Sequence, residues 1–163
     1  MLILVAGLPG SGKTFFAERL AARLSAIYLS SDRMRAEMNA KGKYSRDEKL
    51  AVYEAMAAAA SHEIESGKDV LVDATFFDHT VRKMFTEIAN TQAAPLYVIE
   101  ITADEALIRQ RVATDRDFSE ADFSVYETLR DRFEKITMPH LTLVSTNENI
   151  EDMLRRAVSY LGK

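Results

Sequence analysis

A chain of 163 residues, net charge −4 and 47% hydrophobic, is sized for a single domain, residues 1–163, with one substantial core. The negative balance argues against wholesale coating of nucleic acid, and the absence of cysteine rules out disulfides, thiolate catalysis and cysteine-bound zinc. No apolar run approaches the ~20 residues that span a bilayer, and the opening run lacks the length and basic leader of a signal peptide, so a cytoplasmic location is expected.

The chain opens on "LILVA", Leu2 to Ala6, a short apolar run closed by glycine. "AIYLS", "VLVD" (Val70 to Asp73), "LYVIEI" (Leu96 to Ile101) and "LTLVS" (Leu141 to Ser145) read alike. Continuous rather than alternating apolarity marks strands covered on both faces, as in a parallel sheet. Helical patterns fill the gaps. Phe16, Leu20 and Leu24 recur every fourth residue, and Ser45 with Glu48 forms a capping box for a long helix stopping at Gly67. In that helix, "AMAAAA" reads as a close-packed face. Thr102 with Glu105 predicts a second capping box, and Val125, Leu129, Phe133 and Ile136 predict a helical stripe ended by Pro139. Asn149 with Asp152 opens the last helix, whose Met153, Ala157 and Leu161 face one way. The polar segment 112–122 is the expected mobile lid. Alternating strands and helices imply right-handed crossovers and a three-layer α/β domain.

Between the first strand and its helix stands "GLPGSGKT", Gly7 to Thr14, a complete phosphate-binding loop. Phosphate oxygens need several inward-pointing backbone N–H groups, and glycine supplies both the dihedrals and the room. Gly10, Ser11, Gly12, Lys13 and Thr14 are the expected nucleotide contacts. Lys13 reaches the β- and γ-phosphates and the Thr14 hydroxyl ligates Mg²⁺. The spacing is wrong for a dinucleotide fingerprint. No N-K-x-D guanine motif occurs, and large mechanical ATPases need more chain than this.

In open parallel sheets ligands gather at the carboxyl ends of strands. Two acids stand there. Asp32 follows "AIYLSS", with Arg35 one turn beyond, a pair suited to orienting a hydroxyl and holding an anion; Asp32 also reads as a helix N-cap. Asp73 closes "VLVD", serving either Mg²⁺ through water or the acceptor, with Thr75 donating to either. Arg82 reads as part of a solvated helix face. Arg109 pairs with Glu105 at helical spacing and is taken as structural. Arg111 and Arg116 are preferred as lid cations that neutralise the moving phosphoryl group, although Arg111 also has Asp115 within helical reach.

Together "GLPGSGKT", "SSDRMR", "VLVDATF" and "RQRVATDRDFSEAD" resemble the small P-loop kinases that include the kinase domain of polynucleotide 5′-kinases, the zeta toxins and chloramphenicol phosphotransferase. The resemblance spans nearly the whole chain. It implies a P-loop NTPase fold with a five-stranded parallel sheet, order 2-3-1-4-5, and a helical lid. It implies ATP and Mg²⁺ as cofactors, with Asp32 activating a 5′-hydroxyl, Arg35 holding a neighbouring 3′-phosphate and Arg111 acting on the transferred phosphate. Asp115 stands where the family often has a second lid arginine, with Arg116 following, and "DATF" replaces the "DTN" of some polynucleotide kinases. The expected function is transfer of the γ-phosphate of a nucleoside triphosphate to a hydroxyl, on a nucleic-acid 5′ end or a small molecule. The rival is a nucleotide-binding ATPase module that signals to a partner protein. A monomer is favoured.

Overall fold

In a computed structural model, residues 1–40, 42, 45–113 and 123–163 are described. In chain order they form β1 (Leu2–Ala6), α1 (Lys13–Leu24), β2 (Ile27–Ser30), α2 (Ser31–Glu37), α3 (Arg46–Glu65), β3 (Val70–Asp73), α4 (His79–Thr91), β4 (Leu96–Thr102), α5 (Glu105–Val112), α6 (Phe123–Arg132), β5 (Leu141–Val144) and α7 (Ile150–Tyr160). The sheet is parallel throughout, in the order β2-β3-β1-β4-β5. This is the three-layer α/β fold and strand order expected. The predicted strands are found within a residue of their expected limits.

Strand side chains alternate between faces, and here both faces are covered. Leu2, Leu4, Val70 and Val72 pack with Val52, Met56 and Phe85 of α3 and α4. Ile3, Val5, Leu71 and Ile99 pack with Phe16 and Leu20 of α1 and Met153 and Leu154 of α7. Each fully buried aliphatic or aromatic side chain contributes roughly 1.5–3 kcal/mol relative to exposure. Edge strand β5 is only half covered, leaving Val144 exposed.

Register positions the site. Ser30 and Val5 lie opposite Asp73 from either side, so the ends of β2, β3 and β1 stand side by side. The phosphate-binding loop, the start of α2 and the loop after Asp73 therefore open onto one edge.

Several local expectations change. The Ser45 capping box is present, with Glu48 N donating to Ser45 Oγ and Ser45 N to Glu48 Oε2. At α5, however, the N-cap is Asp104, whose carboxylate accepts from Ala106 N, because Thr102 is still paired in the sheet opposite Val144. The stripe from Val125 to Ile136 is not one helix: α6 ends at Arg132 and buries Tyr126, while Val125 is exposed. Ile136 reaches the core from the following segment, which Glu134 N ties to Phe77 O at 2.8 Å. In "AMAAAA" only Met56 and Ala60 are fully packed. Asn149 is the N-cap of α7 by position, yet its side chain turns back, accepting from Thr146 N and donating to Val144 O.

Candidate active site

The loop between β1 and α1 is shaped by its neighbours as much as by its glycines. Gly12 is the N-cap of α1 at φ 90° and offers no side-chain cap, which leaves the first-turn N–H groups facing the loop's concavity. A Cβ on Gly12 would lie 2.9 Å from Ser145 Oγ and 3.1 Å from an Arg111 Nη1. Gly10, at φ 79°, has α5 directly against it: a Cβ there would meet Val112 Cγ1 at 2.8 Å and Ile108 Cγ2 at 2.9 Å. Helix α5 is thus the outer wall of the cradle, and only glycine fits between them. Ser11 is buried, and its Oγ has no hydrogen-bond partner among the described residues.

Asp73 is 2% exposed at the end of β3. Its Oδ2 accepts a 2.8 Å hydrogen bond from the Tyr28 hydroxyl, while its Oδ1 has no hydrogen-bond partner among the described residues. Burial pushes the Asp73 carboxyl above its usual range and Asp32 adds to this; Lys13, the Thr14 hydroxyl and Tyr28 pull the other way. Burial, reinforced by Asp73, also holds the Tyr28 hydroxyl well above its ordinary value, so Tyr28 stays a donor. A buried carboxylate oxygen left over beside Thr14 and Lys13 fits a magnesium–phosphate group, since Mg²⁺ takes one or two protein oxygens and completes its shell with water and phosphate. Among the described residues no group of three or more His, Asp or Glu converges as a protein-only metal site.

On the neighbouring element, Asp32 is the second residue of α2 and half-buried. The N-cap is Ser30, so Asp32 belongs to the first turn and is not the cap. Arg35, one turn on, is 9% exposed, its guanidinium close enough to Tyr53 and Lys49 of α3 to act on both. Thr75 is half-buried in the loop after Asp73.

That loop is fixed by Tyr53 and Arg82, the latter expected on a solvated helix face. Phe76 adopts φ 51°, uncommon for a bulky side chain. Its N–H donates to the buried Tyr53 hydroxyl at 2.9 Å and its carbonyl accepts from Arg82 Nη1 at 2.8 Å. Arg82 is 5% exposed, not part of a solvated face; it also donates to Glu134 O and lies 3.8 Å from the Glu134 carboxylate. The overlooked signal is its spacing: Arg82, Phe85 and Ala89 share the buried stripe of α4.

Arg109 pairs with Glu105 at 3.8 Å, as the spacing predicts, and stacks over Phe123. Arg111 reaches the cradle. Its Nη1 donates to Ser145 Oγ at 2.7 Å and, at longer range, to the Gly10 and Ser11 carbonyls; its Nη2 donates to Thr146 O and Asn147 Oδ1. It binds the phosphate-binding loop to the β5–α7 loop. Arg116, Asp115 and the lid beyond Ala113 lie outside the described residues.

A family model described as AAA domain matches residues 2–136, most of the chain. The chain belongs to this AAA domain family. No curated protein matches the AAA domain chain. Among solved structures it is similar to a putative kinase from Chloroflexus aurantiacus, at 18% identity and TM-score 0.79, covering 99% of this chain and 95% of that one. It is also similar to the APS kinase CysC of Mycobacterium tuberculosis in complex with AMPPNP and APS (15% identity, TM-score 0.76, 99% and 97% covered). A gluconokinase from Sinorhizobium meliloti shares the fold as well (18% identity, TM-score 0.73, 98% and 90% covered). The small P-loop kinase resemblance carried by the motifs is therefore borne out in family and fold. Among the described residues, no helix of this AAA domain is long and apolar enough to cross a membrane.

Proposed function

We propose that this chain is an ATP- and Mg²⁺-dependent phosphotransferase that moves the γ-phosphate to a hydroxyl acceptor. The observation that carries the reading is the pairing of Asp73 and Asp32 across two adjacent strand ends beside one phosphate cradle. One acid is buried with an oxygen left over next to Thr14; the other stands at the open edge next to Arg35. Kinase activity in structural neighbours with this fold points the same way.

In this reading Gly10, Ser11 and Gly12 present backbone N–H groups to the phosphates and Lys13 contacts the β- and γ-oxygens. Thr14 directly, and Asp73 Oδ1 through water, would hold Mg²⁺, which when bound neutralises charge on the phosphate oxygens. Asp32 accepts a hydrogen bond from the acceptor hydroxyl and takes its proton as the new O–P bond forms and the bond to the β-phosphate oxygen breaks. Arg35 holds an anionic group of the acceptor, and Thr75 donates to the acceptor from the opposite loop. Arg111 and Arg116 are the partners of the moving phosphoryl group, Arg111 also bracing the cradle from outside.

The test is calorimetric titration with a non-hydrolysable ATP analogue, followed by label transfer from γ-labelled ATP to a panel of hydroxyl acceptors. Tight binding that needs Mg²⁺ and is lost in Lys13→Ala, with transfer to at least one acceptor, is the expected result. Binding unaffected by Lys13→Ala contradicts it.

A further inference from the structure

Phe76 holds a backbone conformation that its own side chain opposes. Among the described residues, four that are not glycine have positive φ: Ser25, Asn39, Phe76 and Ala93. Ser25 is the C-cap of α1, and Asn39 and Ala93 directly follow the C-caps of α2 and α4, where a left-handed residue is the ordinary way to stop a helix. Phe76, at φ 51°, ends no helix. Glycine would turn the chain here without strain. A bulky residue persists in this region only where its surroundings over-determine it, a condition that gathers at functional sites. The Phe76 ring is fully buried, 5.7 Å from the Tyr53 ring and 5.3 Å, edge to face, from that of Phe85. Its N–H donates at 2.9 Å to the Tyr53 hydroxyl of α3, and its carbonyl accepts at 2.8 Å from Arg82 Nη1 of α4. Side chains of two other helices thus grip both peptide groups of one strained residue.

The grip acts on Thr75. Ala74 N still donates to Val5 O at 3.2 Å, one rung beyond β3. Thr75 is therefore the single residue between backbone fixed to β1 and backbone fixed to α3. Asp73, Ala74 and Phe76 are buried, so Thr75 is the residue of this stretch that reaches the open edge. Strand β3 lies between β1 and β2. A phosphoryl group passing from the cradle after β1 to an acceptor at Asp32, just after β2, crosses the end of β3. We propose that Tyr53 is a positioning residue for this transfer: by holding the turn at Phe76, its hydroxyl fixes Thr75 at the crossing point, where Thr75 donates to the acceptor oxygen. A hydroxyl oxygen has two lone pairs. One attacks phosphorus, the other accepts from Thr75, and Asp32 takes the proton. What Thr75 touches rests on the phosphotransferase reading, while the grip on Phe76 stands on its own contacts.

The experiment uses the full chain with Mg²⁺, ADP and aluminium fluoride. The planar fluoride stands for the phosphoryl group in flight, and its apical water for the acceptor oxygen. The variants are Tyr53→Phe, which keeps the ring and removes the hydroxyl, Thr75→Val, which keeps the shape and removes the hydroxyl, and both together. ADP affinity is measured calorimetrically with Mg²⁺ alone and then with aluminium fluoride. Each single variant should bind Mg²⁺ and ADP within about two-fold of wild type and lose about ten-fold of the gain that fluoride gives. The double variant should lose no more than either single one, because both changes remove the same contact. Losses that multiply in the double variant, or a fluoride gain that Tyr53→Phe leaves intact, overturn the proposal. Wild type that binds ADP but gains nothing from fluoride overturns the placement of Thr75. Amide hydrogen exchange on the ligand-free protein reads the grip directly. Tyr53→Phe should speed exchange at the Phe76 amide and Thr75→Val should not; unchanged exchange in Tyr53→Phe overturns the grip. If Mg²⁺ and ADP fail to bind wild type, the phosphotransferase reading falls and the role of Thr75 with it, and the exchange comparison still decides whether Tyr53 holds Phe76.

Discussion

The Tyr28 hydroxyl donates to Asp73 Oδ2 at 2.8 Å, from the strand next to the one Asp73 ends. The bond occupies one carboxylate oxygen, leaves the other without a partner among the described residues, and fixes the orientation of the carboxylate. Tyr28 is thus a positioning residue for the proposed Mg²⁺ site.

Tyr28→Phe should leave the fold intact and remove this orientation. A hydrogen bond to a charged group is worth about 1.5–3 kcal/mol, and here its loss leaves a second Asp73 oxygen bare. The transfer rate plotted against Mg²⁺ concentration should shift to higher Mg²⁺, with saturating-Mg²⁺ turnover changed less. A curve superimposable on wild type removes Tyr28 from the site.

Asp73 carries a stability cost, which the proposed Mg²⁺ role would explain. Its folded pKa is raised, chiefly by burial. A raised acid favours folding below its unfolded pKa, about 3.9, and that contribution is lost as pH rises through the higher folded value. At neutral pH, Asp73→Asn should therefore raise the Tm of the nucleotide-free protein, and the gain should shrink towards zero in acid. The same variant should lose the added stability that Mg²⁺ with ATP analogue gives wild type. Melting scans across pH, with and without ligand, check both; a Tm gain that grows in acid contradicts the sign.

Arg82 holds the loop that follows Asp73 without touching the proposed substrates. Arg82→Met keeps the stem in the core but strips donors from the Phe76 and Glu134 carbonyls. Each bond lost is of the charged class, so a destabilisation of about 2–4 kcal/mol is expected from chemical denaturation. An unchanged denaturation midpoint contradicts the packing role.

The sheet and the phosphate-binding loop were legible because their determinants are local. Apolar runs such as "VLVD" and "LILVA" announce strands covered on both faces, and the glycine spacing announces the cradle. What stayed hidden depends on partners distant in the chain. Arg111 meets the Gly10 and Ser11 carbonyls about a hundred residues away in sequence, and the Tyr28 bond to Asp73 follows from strand order rather than spacing. Ile136 misled because its spacing from Phe133 looks helical, while the Glu134–Phe77 backbone bond draws that segment out of the helix.

In the proposed reaction Asp32 activates an acceptor hydroxyl beside a nucleotide held by the cradle. Its most direct test is Asp32→Asn, an isosteric change outside the N-cap of α2, where Ser30 sits. The measurement is single-turnover phosphate transfer to an accepted hydroxyl substrate, paired with calorimetric affinity for the ATP analogue. Nucleotide affinity should be unchanged and transfer slower by about 10²–10⁴-fold, the scale of a lost general base. Transfer at the wild-type rate would contradict it and move the acceptor site away from α2.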